Sequence, residues 1–122
     1  MTRASKPRTP AGLGIRGSAF WRSSVADYEF SSAEEALLLE ACRCLDRLDL
    51  LNTTISDLGA MVDGSQGQPV VNPALTEARG QQAILHRLIA ALQLPDASGA
   101  SIPTGRRLGA SAAAEVRWKG AV

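Results

Sequence analysis

Few side chains in this sequence could do chemistry, and their spacing excludes most of it. His86 is the sole histidine. No second His, Cys or carboxylate stands at ligand spacing from it, so it reads as a helix-surface residue and no metal site is expected. One unsupported histidine also leaves no credible Ser-His-Asp set. Cys42 and Cys44 lie two apart. On a helix, at about 100° per residue, their side chains diverge by about 200°. They can neither pair nor share a metal. Cys42 falls on an apolar face and reads as a small core residue. The carboxylates Glu34, Glu35, Asp46 and Asp49 form a solvated helix face with no pocket to make them an acid–base pair. A phosphate cradle at Gly64–Gly67 would need a buried strand before it and a lysine after it, and both are missing. No catalysis, no metal and no cofactor are expected.

What remains is charge. Residues 1–26 carry Arg3, Lys6, Arg8, Arg16 and Arg22 and no acid, a net +5. Residues 27–63 set nine acids against Arg43 and Arg47, a net −7. Residues 64–122 set six bases against Glu77, Asp96 and Glu115, a net +3. An acidic middle between basic ends suits end segments that reach for a polyanion. The plainer reading is that basic termini keep a near-neutral chain soluble.

The elements that must position these charges are helical. Few aromatics and many Ala and Leu argue for an all-α fold over a sheet. Ser31 with Glu34, and Ser32 with Glu35, each fit a capping box, which opens a long helix to about Leu58. Leu38, Ala41, Leu45, Leu48, Ile55 and Leu58 follow 3/4 spacing, joined by Cys42 and Leu51. Leu37, Leu39 and Leu50 widen that stripe, so the helix should meet more than one partner. Asn52-Thr53-Thr54 is its weakest stretch and the expected place for a bend. Asp63-Gly64 and Gln66-Gly67, flanked by Val62 and Val70-Val71, mark a small β-hairpin or tight loop. Asn72-Pro73 caps a second helix to about Gln93. Its seam runs Leu75, Ala78, Gln82, Leu85, Ile89 and Leu92, broadened by Ile84 and Leu88, with Gln82 as the polar break. Leu94-Pro95 ends it.

The result is an antiparallel hairpin of two long helices, preceded by a short helix within Leu13–Tyr28. In that short helix Ser18, Trp21, Val25 and Tyr28 share a face that packs on the hairpin. Gly14 and Gly17 weaken its first turn or let another backbone come close. Residues 1–12 read as a disordered basic arm, 13–94 as the helical core and oligomerisation domain, and 95–122 as a linker and basic C-terminal tail. A short helix is drawn within 106–119, where Trp118 either docks a partner or folds back on the hairpin. A packed part of about 80 residues is marginal alone, which favours oligomerisation. No apolar stretch approaches the ~18 residues of a membrane span, no signal peptide is visible, and the cysteine usage fits a reducing cytosol.

The order of signals resembles a known family. It runs Gly12-Leu13-Gly14, Gly17 and Trp21, then Tyr28, then Ala41-Cys42-Arg43 and Asp46-Arg47-Leu48. Gly64, Gly67-Gln68-Pro69 and Asn72-Pro73 follow, then Glu77-Ala78-Arg79 and Leu94-Pro95. Arg106-Arg107, Ala112-Ala113 and Arg117-Trp118 close it. In this order and spacing the chain is similar to the small subunit of the terminase of tailed double-stranded DNA phages, over most of residues 12–119. The resemblance implies a non-enzymatic, ring-forming subunit in the cytoplasm of a bacterial host. Such a subunit recognises the packaging start on viral DNA and recruits and regulates the large ATPase–nuclease subunit.

On that reading Arg3, Lys6, Arg8, Arg16, Arg22, Arg106 and Arg107 are candidate DNA contacts. Arg117, Trp118 and Lys119 are candidate contacts to the large subunit. Leu38, Leu45, Leu48, Ile55, Leu85, Leu88, Ile89 and Leu92 are candidate oligomerisation residues, their seam shared between the hairpin and its neighbours. A heterologous contact repeated about an axis closes a ring. Three rivals stand beside it, an enzyme being the weakest. One is a dimeric helical DNA-binding regulator, which would need a basic recognition helix. Another is a helical-hairpin adaptor that binds only protein.

Overall fold

The computed structural model describes residues 6–94 and is mostly helical. These residues form three helices, α1 (Ile15–Asp27), α2 (Ser32–Leu58) and α3 (Pro73–Leu92), with a two-stranded antiparallel sheet, β1 (Met61–Asp63) and β2 (Pro69–Val71), between α2 and α3. The strands qualify the all-α expectation. Arg3, Arg106, Arg107, Arg117, Trp118 and Lys119, with the linker and the short tail helix, lie outside the described residues. Of the arm, residues 6–12 run irregularly, with Pro7 and Pro10 half-buried.

α2 is the spine. Its start is fixed by the first of the two candidate capping boxes: the Glu34 amide donates to Ser31 Oγ at 3.2 Å and the Ser31 amide to Glu34 Oε1 at 2.8 Å. Glu34 and Glu35 then lie in the first turn, where the helix dipole favours acids. The helix runs unbroken through Asn52–Thr54. Thr53 and Thr54 turn their hydroxyls back to the Asp49 and Leu50 carbonyls, at 3.0 and 3.2 Å. That bonding satisfies the hydroxyls within the helix.

Two helices pack on α2 from different sides, α1 and α3. This explains why Cys42 and Cys44, which diverge around the helix, are both buried. It also explains the width of the apolar stripe: part of it meets α1 and part meets α3. The main core joins Trp21 and Val25 of α1, Leu38 and Cys42 of α2, and Leu92 of α3. α3 therefore returns antiparallel to α2, bringing its last turn beside the first turns of the spine. The short helix buries Gly17, Trp21, Ser24 and Val25, close to the expected face but with Tyr28 only half-covered. On α3 the buried polar residue is Gln81, not Gln82, which is exposed. The seam runs Ala74, Ala78, Gln81, then Leu92. A one-residue shift in the start of a helix moves its face by about 100°.

The reversal is locked by Asn72. Its Oδ1 accepts from the Ala74 amide at 3.0 Å, the N-cap bond of α3. Its Nδ2 donates to the Gly59 carbonyl at 2.9 Å, and its amide donates to the Ala60 carbonyl at 2.8 Å. Gly59 sits at φ +86°, a conformation that L side chains resist, and ends α2 there. One buried asparagine thus ties the end of α2 to the start of α3. Asn72→Ala should cost about 1–2 kcal/mol, from a lost cap and an unpaired carbonyl. Urea unfolding checks this, and a loss confined to a few tenths would mean that the turn holds without it.

Candidate functional site

Basic residues of α1 and of the segment before it reach the surface. Lys6, Arg8, Arg16 and Arg22 are all exposed. Arg16 is not free: its Nη1 lies 2.9 Å from Asp49 Oδ1 on α2, with both side chains about half exposed. Such a pair is weak and readily exchanged for another anion. Among the described residues Lys6, Arg8 and Arg22 make no salt bridge. Three of the candidate contacts, Lys6, Arg8 and Arg22, therefore offer unpaired charge, and Arg16 offers charge in competition with Asp49.

The placement of α1 depends on Asp46. Its carboxylate accepts from the Gly14 amide at 2.6 Å and from the Gly17 amide at 2.8 Å. These are two of the four amides that every helix start leaves without intrahelical partners. Gly14 has no side chain to cap them, so the cap arrives from α2. Close approach makes this geometry reachable. A Cβ on Gly17 would sit 2.7 Å from the Cys42 carbonyl and would collide with the Asp46 carboxylate. The glycines thus let α1 lie backbone-to-backbone on α2, as one of the two sequence readings had it. The start of α1 is consequently no anion site, because Asp46 already fills it.

The expected oligomerisation residues divide in two. Leu38, Leu45, Leu48 and Leu92 are buried within the chain. Ile55, Leu85, Leu88 and Ile89 are half-buried. The large apolar side chains left in solvent are others: Ile15, Leu50, Leu58, Met61, Val71 and Ile84. Met61 pairs with Val71 across the strands, so these two share one face of the hairpin tip. Ile84 and the half-buried Leu88 share a face of α3 by their four-residue spacing.

Between α1 and α3 lies an open, mainly apolar groove of about 550 Å³, floored by Leu45. Ala19 and Phe20 form one wall, Leu85 and Ile89 the other, and Arg16 stands at its rim. Sequence reasoning did not find this groove. It arises because α1 and α3 both rest on α2 and barely touch each other.

No metal-ligand cluster of His, Cys, Asp or Glu occurs among the described residues, and no described helix is long and apolar enough to cross a membrane. Both cysteines are free thiols. Burial, and secondarily the nearby Asp46 charge, pushes the Cys42 thiol up to about 11; burial raises Cys44 as well. The thiolate is the reactive form. Both cysteines should therefore resist alkylation at pH 8 in the native protein and react on unfolding, which mass spectrometry would count. A raised native pKa also fixes the sign of a pH effect. Above about pH 9 the unfolded state releases the Cys42 proton while the native state keeps it, so stability falls between about pH 9 and 11. Denaturation midpoints should drop over that window in the parent and less in Cys42→Ala.

Among the described residues, two buried polar side-chain atoms have no hydrogen-bond partner, Trp21 Nε1 and Gln81 Oε1. Each costs stability where it stands. Comparisons with protein-family models, with curated proteins and with solved structures gave no match.

Proposed function

We propose that this chain is a small terminase subunit: a ring-forming, DNA-binding protein that recognises the packaging start of a viral genome and recruits and regulates the large ATPase–nuclease subunit. The observation that carries the proposal is the apolar surface left on so small a helical hairpin. Leu50, Leu58, Met61, Val71 and Ile84 all stand at least 41% exposed. Met61 and Val71 are cross-strand neighbours at the hairpin tip, and a contiguous exposed apolar patch marks a contact surface. A second copy meeting them head to tail would repeat the contact about an axis. Each subunit then contributes one basic arm. Many weak phosphate contacts become one multivalent grip.

The order of residues supports the same reading, and the structure gives several of them physical work. Gly14, Gly17, Cys42 and Asp46 meet at the α1–α2 crossing. Asn72 ties the reversal through the Gly59 carbonyl. In this reading Lys6, Arg8 and Arg22 make the first DNA contacts, with Arg3, Arg106 and Arg107 adding charge from outside the described residues. Arg117, Trp118 and Lys119 dock the large subunit. DNA shape, more than base edges, sets site preference, because no basic recognition helix is present among the described elements. Catalysis belongs to the large subunit, and the host cytoplasm is where the two meet viral DNA.

Native mass spectrometry, with titration of duplex DNA at low salt, tests the proposal. One closed, high-order oligomer that binds duplex DNA is the expected result. A monomer or dimer at every concentration would remove the ring, and no binding at low salt would leave a protein-binding adaptor.

A further inference from the structure

We infer that the outer face of the β-hairpin tip of one copy seats in the groove between α1 and α3 of the next. The inference rests on the assembly proposed above and names the two surfaces that make it.

The tip has two unlike faces. Side chains directly opposite on an antiparallel pair lie on the same side, as do alternate residues of one strand. Met61 pairs with Val71 and Asp63 with Pro69, so these four share one face. All four are exposed, Met61 and Val71 at 52% and 50%. Val62 and Val70 pair on the other side and are half-buried. The outer face therefore presents three apolar side chains and one carboxylate. Its surroundings add no cation, because residues 56–72 carry Asp57 and Asp63 and no base. Pro69 lacks an amide to donate, and each strand has only three residues. The tip is thus built to meet a partner through this face and not by adding a strand.

The groove has the matching chemistry. Phe20, Leu45, Leu85 and Ile89 make it apolar, and Arg16 is the one charged residue among those that line it. Its pair with Asp49 uses Nη1. A guanidinium carries five N–H donors, so Arg16 can hold Asp49 and receive a second carboxylate. The volume of about 550 Å³ takes a group larger than one side chain, and Met61 with Val71 is such a knob. An apolar patch with one acid meets an apolar hollow with one base.

The tip cannot fill the groove of its own chain. Leu45 on the floor and Leu58 at the end of α2 belong to one unbroken helix. At about 1.5 Å per residue, that helix holds them about 20 Å apart. The occupant is therefore a second copy. Tip and groove are different surfaces, so each copy gives a tip to one neighbour and takes a tip from the other.

Native mass spectrometry of the full chain tests this with two variants at exposed positions. Met61→Asp spoils the tip and leaves the groove, whereas Ala19→Glu spoils the groove wall and leaves the tip. Each alone should weaken association by roughly 10–100-fold and lower the native mass. Mixed, they should form a one-to-one pair and nothing larger, because the intact tip of one meets the intact groove of the other. Circular dichroism should show the parent's helix content throughout. Where a variant loses it, Val71→Asp or Ser23→Glu takes its place on the same face. A folded variant that keeps the parent mass, or a mixture that stays unpaired, would overturn the inference and leave the ring to other surfaces. A parent that is monomeric at every concentration would overturn it together with the ring. The mixing result is read without DNA, so it stands or falls separately from DNA binding.

Discussion

Gly17→Ala should destabilise the protein by about 2–3 kcal/mol, although alanine is the better helix former by about 1 kcal/mol. The reason is geometric. The added Cβ would stand 2.7 Å from the Cys42 carbonyl, and that carbonyl belongs to the middle of α2. A side chain could swing aside, but a hydrogen-bonded backbone in a 27-residue helix has little room to give. α1 must instead lift away from α2. Lifting it breaks both amide bonds to Asp46 and opens the packing of Trp21 on Leu38 and Cys42. The melting temperature should fall by roughly 10 °C for a domain of this size. A double variant sharpens the test. Asp46→Ala removes the carboxylate that the methyl would meet but leaves the Cys42 carbonyl, so it should not rescue Gly17→Ala. Rescue would show that the carboxylate, not the backbone, sets the close approach. A control lies at Gly80, where an added Cβ meets nothing within 4 Å; Gly80→Ala should raise stability by about 1 kcal/mol.

This crossing shows what a sequence can and cannot state. The glycines, the cysteine and the aspartate were all conspicuous as residues, and close backbone approach was one reading of Gly14 and Gly17. That Asp46 is the cap of α1 could not be read. Nearly 30 residues separate Gly17 from Asp46, and only the docking of α1 across α2 sets their register. Local signals fared better. The capping box at Ser31, the Asn72-Pro73 start and the end of α3 near Leu94 are short-range chemistry, and each stands within a residue or two of expectation. The width of the α2 stripe correctly asked for more than one partner, but periodicity does not say whose. The structure supplies α1 and α3 of the same chain. The polar break fell one residue off, at Gln81, because heptad counting assumed a straight seam from Leu75, whereas Asn72 sets the phase from Ala74. The groove was invisible for the same reason as the Asp46 cap: it is a gap between two elements, not a property of either.

The competition at Arg16 bears on how the basic surface works. Asp46 and Asp49 sit one turn apart on α2, and each holds something on α1, a pair of amides or a guanidinium. The acidic spine therefore positions α1 while muting one of its cations. A phosphate arriving at α1 would find Arg22 exposed, and could draw Arg16 from Asp49 at little cost because that pair is half exposed.

On the DNA-binding function proposed above, neutralising the arm should change both affinity for DNA and its dependence on salt. Arg3, Lys6 and Arg8 converted together to Gln removes three charges per subunit. Substitution is a cleaner test than deleting residues 1–11, because Pro7 and Pro10 are half-buried and their loss would disturb the body. Each phosphate neutralised adds about 0.9 to the slope of log affinity against log salt. Three charges on one engaged arm thus add about 2.7, and the parent should lose about forty-fold more affinity than the variant between 50 and 200 mM salt. Several arms engaged at once would multiply that exponent. Helix content and native mass should stay as in the parent, since Lys6 and Arg8 are exposed. An unchanged slope with intact assembly would mean that the basic start serves solubility, and the protein-binding adaptor would become the better account. A smaller slope at unchanged affinity in high salt would identify the arm as an electrostatic guide, with the remaining grip supplied by α1 through Arg16 and Arg22.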